Sequence, residues 1–340
     1  MKRIPSLDGL RAISIALVVL SHLARWGHAN LDLAGTYGAL GVHVFFVLSG
    51  YLITGLLLKE YESTSTISLK DFYLRRGFRI FPAAFVYLAV VVTLFWREMT
   101  WYHVLAAVLY VSNMDLGRPW PFGHLWSLSI EEQFYLLWPF AMKRWYRHKT
   151  AILVSVFWFA PVFRVALFAF KVHNGLIISL PVHADQLAIG CLLAIYAPRL
   201  PRIAGYVAVP MLLYTFLAPW FPGNTPARTV FELFLVRPLM HVCIAGLVLH
   251  VIQVPYRFLN ASPVAWIGKI SYSIYLWQEL FCTKISFHLG YALILPTLGA
   301  ACLSYYLVEQ PMLRLRDRIS GGPSKRETAN PATETSMARR

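Results

Sequence analysis

Acidic residues are scarce: the 340-residue chain has 16 Asp and Glu against 31 Lys and Arg, and only 14% of its residues are charged. Water-soluble domains carry about 25%, so this composition argues against a globular enzyme in water. Cysteine is scarce too. The 4 present, Cys191, Cys243, Cys282 and Cys302, fall in apolar stretches without CxxC spacing, which suggests neither a disulfide framework nor a zinc site, and no metal is expected. Several motifs of soluble chemistry are missing. No Gly-x-Ser-x-Gly elbow surrounds Ser49, there is no His-x-x-x-x-Asp, and Gly268-Lys269 lacks the upstream glycine of a phosphate loop.

What is abundant is apolar sequence, 58% of the chain. Runs able to cross ~30 Å of hydrocarbon, about 20 residues each, recur throughout. Ten are legible, roughly 9–26, 38–58, 78–96, 124–142, 151–170, 182–197, 203–221, 231–252, 264–285 and 290–308. The expectation is an all-α polytopic membrane protein of about ten transmembrane helices. The stretch 100–113, with Trp101 and Tyr102 at its start, is too short to span and reads as interfacial or re-entrant. No small-residue cleavage site follows the first run, so it reads as a helix that stays rather than a signal peptide.

A net charge of +15 would suggest nucleic acid in a soluble protein. Here it marks cytoplasmic loops, and no nucleic-acid partner is expected. Basic residues concentrate in alternate inter-span segments, such as Lys59 to Arg79, Lys143 to Lys149 and Arg314 onward. This places both termini on the cytoplasmic side of a bacterial inner membrane. Residues 1–316 form the membrane-embedded domain, and the polar, Pro- and Gly-containing 317–340 reads as a disordered cytoplasmic tail.

Ionisable residues within the runs carry the functional signal, since each is costly in hydrocarbon without a cavity or a partner. Arg11 and His22 leave the same face of one helix, about 16 Å apart along its axis. Arg11 is either an anchor at the inner surface or part of a site, and His22 either a helix-helix tie or a base. Arg75, Arg76 and Arg79 stand at i, i+3 and i+4 spacings, so their planar forks can converge on one anion such as a nucleotide phosphate. Orientation alone also accounts for basic residues there. Glu131 and Glu132 lie seven and eight residues after His124, about 10 Å along the helix and at a level expected to match His22. A buried Glu beside an imidazole suits acid/base catalysis, and equally the proton relay of a transporter.

Arg11-(ten residues)-His22 after Ser-Leu-Asp-Gly-Leu-Arg, Val44-Phe-Phe-Val-Leu-Ser-Gly-Tyr-Leu-Ile-Thr54, and the arginines of 75–79 recur together with Trp126-Ser-Leu-Ser-Ile-Glu-Glu-Gln-Phe-Tyr-Leu-Leu-Trp-Pro139. Farther on come Ile267-Gly-Lys-Ile-Ser-Tyr-Ser-Ile-Tyr-Leu-Trp277 and Glu309-Gln-Pro-Met-Leu-Arg314. As an ordered set, from residue 5 to about 316, these blocks resemble the bacterial membrane-bound acyltransferase family 3. The family includes O-acyltransferases of O-antigen, exopolysaccharide, Nod factor, peptidoglycan and macrolides.

The resemblance implies transfer of an acyl group, most often acetyl from acetyl-CoA, to a hydroxyl of a carbohydrate or lipid-linked saccharide, with polysaccharide-biosynthesis proteins as partners. It assigns His22 as the essential base with Arg11 as its motif partner, and Arg75, Arg76 and Arg79 to the donor. Glu131 is expected to orient His22, with Glu132 ranked second. Trp126, Asp185 and Glu279 are expected on the acceptor side, although Asp185 could instead pair with Arg164. Many members place His after Tyr-Leu-Trp, where this chain has Gln278 and Glu279, and His183 replaces a basic residue in His-Ala-Asp-Gln-Leu-Ala-Ile-Gly. The alternatives are a macrolide-tailoring acyltransferase and a proton-coupled exporter of a lipid-linked product. No internal repeat of transporter type is evident.

Overall fold

A computed structural model describes residues 4–26, 32–172, 175–217, 225–281 and 292–319. No strand occurs among them, and the chain runs as helices α1 (Pro5–Trp26), α2 (Asp32–Thr64), α3 (Leu69–Phe95), α4 (Trp101–Val108), α5 (Leu125–Arg144), α6 (Lys149–Ala169) and α7 (Leu180–Tyr196). Then follow α8 (Ile203–Leu217), α9 (Pro226–Phe231), α10 (Arg237–Gln253), α11 (Ser262–Lys269), α12 (Ser271–Phe281), α13 (Ile294–Ser304) and α14 (Gln310–Ile319). Two π-helical turns, Glu232–Val236 and Tyr305–Glu309, join α9 to α10 and α13 to α14 without a break.

Among the described residues, six helical stretches are long and apolar enough to cross a membrane: Pro5–Leu23, Gly38–Thr64, Leu69–Glu98, Tyr146–Ala169, Gly175–Arg199 and Pro226–Gln253. The other expected runs take different forms. Helix α5 has the length but carries Glu131 and Glu132 within it. The run 203–221 is helical to Leu217, with the remainder outside the described residues. The run 264–285 divides at Ile270 into α11 and α12, and its last residues, like the start of 290–308, lie outside the described residues. So does the tail from 320 onward, while α14 continues three residues past the boundary expected at 316. The segment 100–113 holds the eight-residue helix α4, about 12 Å long and too short to cross, and the start of a 3-10 turn at Ser112.

Apolar side chains point outward as well as inward: Leu94, Leu136 and Leu303 are each 61% exposed. Such a surface suits hydrocarbon rather than water. Inside, one apolar core joins α1, α3, α5, α12 and α13 around Tyr87, Phe122 and Trp277. A second joins α2, α3, α5, α6 and α7, and a third lies among α1, α2, α7 and α10.

Helices α2 and α7 cross almost backbone to backbone. A Cβ on Gly50 would lie 2.2 Å from Leu187 O, and one on Gly190 2.1 Å from Val47 O. Without lipid-excluding force between helices, small residues that permit such approach supply the dispersion contact that holds a bundle together. The result fixes the helix that bears Ser49 against the helix that bears Asp185.

Candidate active site

The site residues gather at two levels. Arg11 of α1 and Arg76 and Arg79 of α3 line a chamber of about 100 Å³ together with Ser49, Glu131, Glu132 and Tyr135. Their convergence follows from the sequence spacing, since Arg76 and Arg79 share a helix face. The Arg76 guanidinium lies over the Tyr135 ring, 4.7 Å from its centre. Arg11, Arg76 and Arg79 also line a wider mouth of about 530 Å³, where Arg75, Arg316, Asp8 and Glu60 join them. Arg75 is in the mouth rather than the chamber: its Nη2 is 3.3 Å from Glu60 Oε2 and its side chain is 47% exposed. The geometry can hold a polyanion at the mouth with an extended portion reaching inward.

Glu131 does not orient His22. Ser49 Oγ donates to Glu131 Oε1 at 2.7 Å, and the Tyr135 hydroxyl donates to Ser49 Oγ at 2.9 Å. The discrepancy is one of depth. His22 stands four residues before the end of α1 and His124 caps the start of α5, so these two histidines share a level and Glu131 lies about 10 Å below them. Glu131 and Glu132 thus belong with Arg11.

At the upper level α12 supplies the partners of His22. His22 Nδ1 is 2.6 Å from Gln278 Oε1, and His22 Nε2 is 3.9 Å from Glu279 Oε1. An amide oxygen only accepts, so Nδ1 carries the hydrogen and Nε2 presents its lone pair. Glu279 Oε2 is in turn 3.3 Å from His124 Nδ1. Glu279 and His124 are almost wholly buried, whereas His22 retains 23% side-chain exposure. The imidazole is therefore a reachable base with a fixed tautomer and a carboxylate placed to stabilise its protonated form. Gly123 makes room for that carboxylate, since a Cβ there would lie 2.6 Å from Glu279 Oε2.

Between the two levels stand Ser127 and Tyr275. Both hydroxyls donate to the His124 carbonyl oxygen, at 3.1 and 3.2 Å, and they contact each other. Both residues also line the arginine chamber, so they form its upper wall beneath the His22 level.

The acceptor-side expectations divide. Glu279 joins His22. Trp126 instead faces Phe46 and His183, with ring centres 6.2 and 5.2 Å apart. Asp185 is tied up structurally: its oxygens meet Arg164 Nη1 and Nη2 at 3.1 and 2.7 Å, and Oδ2 meets His241 Nδ1 at 2.9 Å. With Gln186 N also donating to Oδ1 at 3.1 Å, neither oxygen is left for a substrate. Sequence reasoning missed Gln278 as the partner of His22. The signal was present in the departure from Tyr-Leu-Trp-His, because a side chain that replaces another at a fixed position inherits its neighbours. No group of three or more metal-ligating residues that could hold a metal ion occurs among the described residues.

The acyltransferase-domain family matches residues 4–313. The peptidoglycan O-acetyltransferase OatA of Listeria monocytogenes is 31% identical over 327 residues, covering 82% of this chain and 49% of that protein. A Staphylococcus aureus protein proposed to be an O-acetyltransferase is 31% identical over 92% of this chain and 57% of its own length. Bacillus subtilis YrhL, proposed to be a peptidoglycan O-acetyltransferase, is 30% identical over 91% of this chain and 55% of its own length. The chain spans about half the length of these curated relatives. No solved structure is significantly similar to it.

Proposed function

The chain is a member of acyltransferase family 3, and on that premise we propose that it is an integral membrane O-acyltransferase moving acetyl from acetyl-CoA, or another acyl from its CoA thioester, to a carbohydrate hydroxyl. The observation that carries the reading is the Nδ1 bond of His22 to Gln278, which leaves Nε2 as a base beside Glu279. Support for the donor comes from Arg11, Arg76 and Arg79 in a chamber whose mouth adds Arg75 and Arg316. Guanidinium forks match phosphate oxygens in geometry and charge.

In this reading ten crossings put both termini in the cytoplasm and the arginine mouth toward cytoplasmic acyl-CoA. The pantetheine arm extends through the chamber toward His22, about 16 Å from Arg11 along α1. His22 Nε2 takes the proton of the acceptor hydroxyl as its oxygen adds to the thioester carbonyl carbon. The carbon–sulfur bond then breaks, and the departing thiolate takes the proton back from the imidazolium. Glu279 stabilises that cation, while Glu131 balances the chamber arginines. No acyl-enzyme is required. Relatives named for peptidoglycan O-acetylation favour a saccharide acceptor, polymeric or lipid-linked, with polysaccharide-building proteins as partners.

The test is transfer of labelled acetyl from acetyl-CoA to a polysaccharide acceptor in membranes with verified expression. His22→Ala is expected to lower the rate at least ~10²-fold, the usual contribution of a positioned base. Undiminished transfer by that variant would refute the assignment.

A further inference from the structure

At the end of the bundle away from the arginine mouth, a notch of about 280 Å³ opens between α6, the turn Gly175–Ile178 and the α9–α10 helix. Three cations line it: Arg164, Lys171 and Arg237. Their convergence is unexpected, because the outer segments are where the chain is poorest in basic residues. The two acids within reach are already engaged. Asp185 holds Arg164 at 2.7 Å, and Glu232 holds Arg228 at 2.9 Å. Residues 173–174 and 218–224 include no Asp or Glu. Among the described residues, neither Lys171 nor Arg237 has a carboxylate within ion-pair distance, and the charges of Glu232 and Asp185 act on Arg237 only from farther off.

The other walls are apolar: Leu167, Phe168, Ile177, Val182 and Leu233. Lys171 sits just past the end of α6, and Arg164 lies seven residues earlier, about 10 Å deeper. The notch thus gathers cations from its rim, Lys171, and from its deeper wall, Arg164 and Arg237, around an apolar cleft. That polarity is complementary to an amphiphile with an anionic head and a hydrocarbon chain.

We propose that this notch binds the phosphate of a membrane lipid, with Lys171 and Arg237 holding the phosphate oxygens and Leu167, Phe168 and Ile177 receiving the start of the chain. Arg164 is retained by Asp185 and contributes field rather than a direct contact. The site is separate from acyl transfer, since none of its residues lines the arginine chamber or is among the hydrogen-bond, ion-pair and ring partners of His22.

The test uses the full chain in detergent, delipidated, with binding of a polyprenyl phosphate, phosphatidylglycerol and inorganic phosphate measured in parallel. Lipid phosphate is expected to bind at least tenfold more weakly to Lys171→Gln/Arg237→Gln, with the charge-conserving Lys171→Arg retaining affinity. Arg75→Ala is expected to leave that binding unchanged. A preference for polyprenyl phosphate identifies a saccharide-carrier lipid as the source, and equal binding of phosphatidylglycerol identifies bulk phospholipid; either supports the site. Affinity of the folded double variant within twofold of the parent overturns it, as does inorganic phosphate binding as tightly as the lipids.

Discussion

Replacing Glu279 by Gln removes a charge while keeping the shape that Gly123 accommodates. With unit charges about 4 Å apart and an effective dielectric of about 20, the imidazolium of His22 would gain about 4 kcal/mol from Glu279. At 1.36 kcal/mol per tenfold, that is about 10³ in rate as an upper figure. His124 lies closer, 3.3 Å against 3.9 Å for His22, and draws on the same carboxylate, so about 10² is the expected loss. The change should fall on kcat, with KM for acetyl-CoA unmoved, because Glu279 does not line the donor chamber. The assay is steady-state transfer of labelled acetyl in proteoliposomes, with thermal unfolding checked in parallel. A folded Glu279→Gln enzyme within threefold of the parent, beside a Glu131→Gln enzyme whose kcat collapses at unchanged KM, would refute the assignment of partners.

Other expectations follow from the same geometry. Arg76→Ala and Arg79→Ala should each raise KM for acetyl-CoA more than Arg75→Ala does, since Arg75 is half exposed and engaged with Glu60; initial-rate kinetics with varied donor would show it. Gly190→Ala should lower the melting temperature, because its Cβ would lie 2.1 Å from Val47 O and such overpacking costs about 1–3 kcal/mol. Arg164→Leu should destabilise by about 3 kcal/mol, because Asp185 loses its guanidinium and keeps only His241 and the Gln186 backbone amide, and Arg164→Leu/Asp185→Leu by less; denaturation in detergent compares them. Tyr87→Phe, which loses the bond to Pro121 O at 2.6 Å, should cost about 1 kcal/mol.

Local pattern made part of this arrangement legible. Helical spacing brought Arg76 and Arg79 to one face, and both line the chamber. The tie of Asp185 to Arg164 was also open to view, since each buried charge needed a partner and few were available. The partner of His22 was not. Its contact with Gln278 joins helices 256 positions apart, and periodicity within one helix carries no information on which other helix lies alongside. Level matching failed for Glu131 because it assumed where α5 begins relative to α1, and His124 rather than Glu131 stands at that end. The division of one expected run into α11 and α12 at Ile270 falls between Gly268-Lys269 and Ser271, polar and flexible positions that a reading by overall hydropathy passes over.

The glycine crossing of α2 and α7 has a mechanical consequence. Backbones in contact at Gly50 and Gly190 have no side-chain layer between them to shear, so these helices move as a single spine. One face of that spine presents Ser49 and Phe46 to the chamber; from the same spine His43 reaches His241 at 3.1 Å, and His241 holds Asp185. Breathing needed to admit a substrate must then fall on the other walls. The joint that remains deformable is between the spine and α5, where hydroxyls and rings rather than backbones meet.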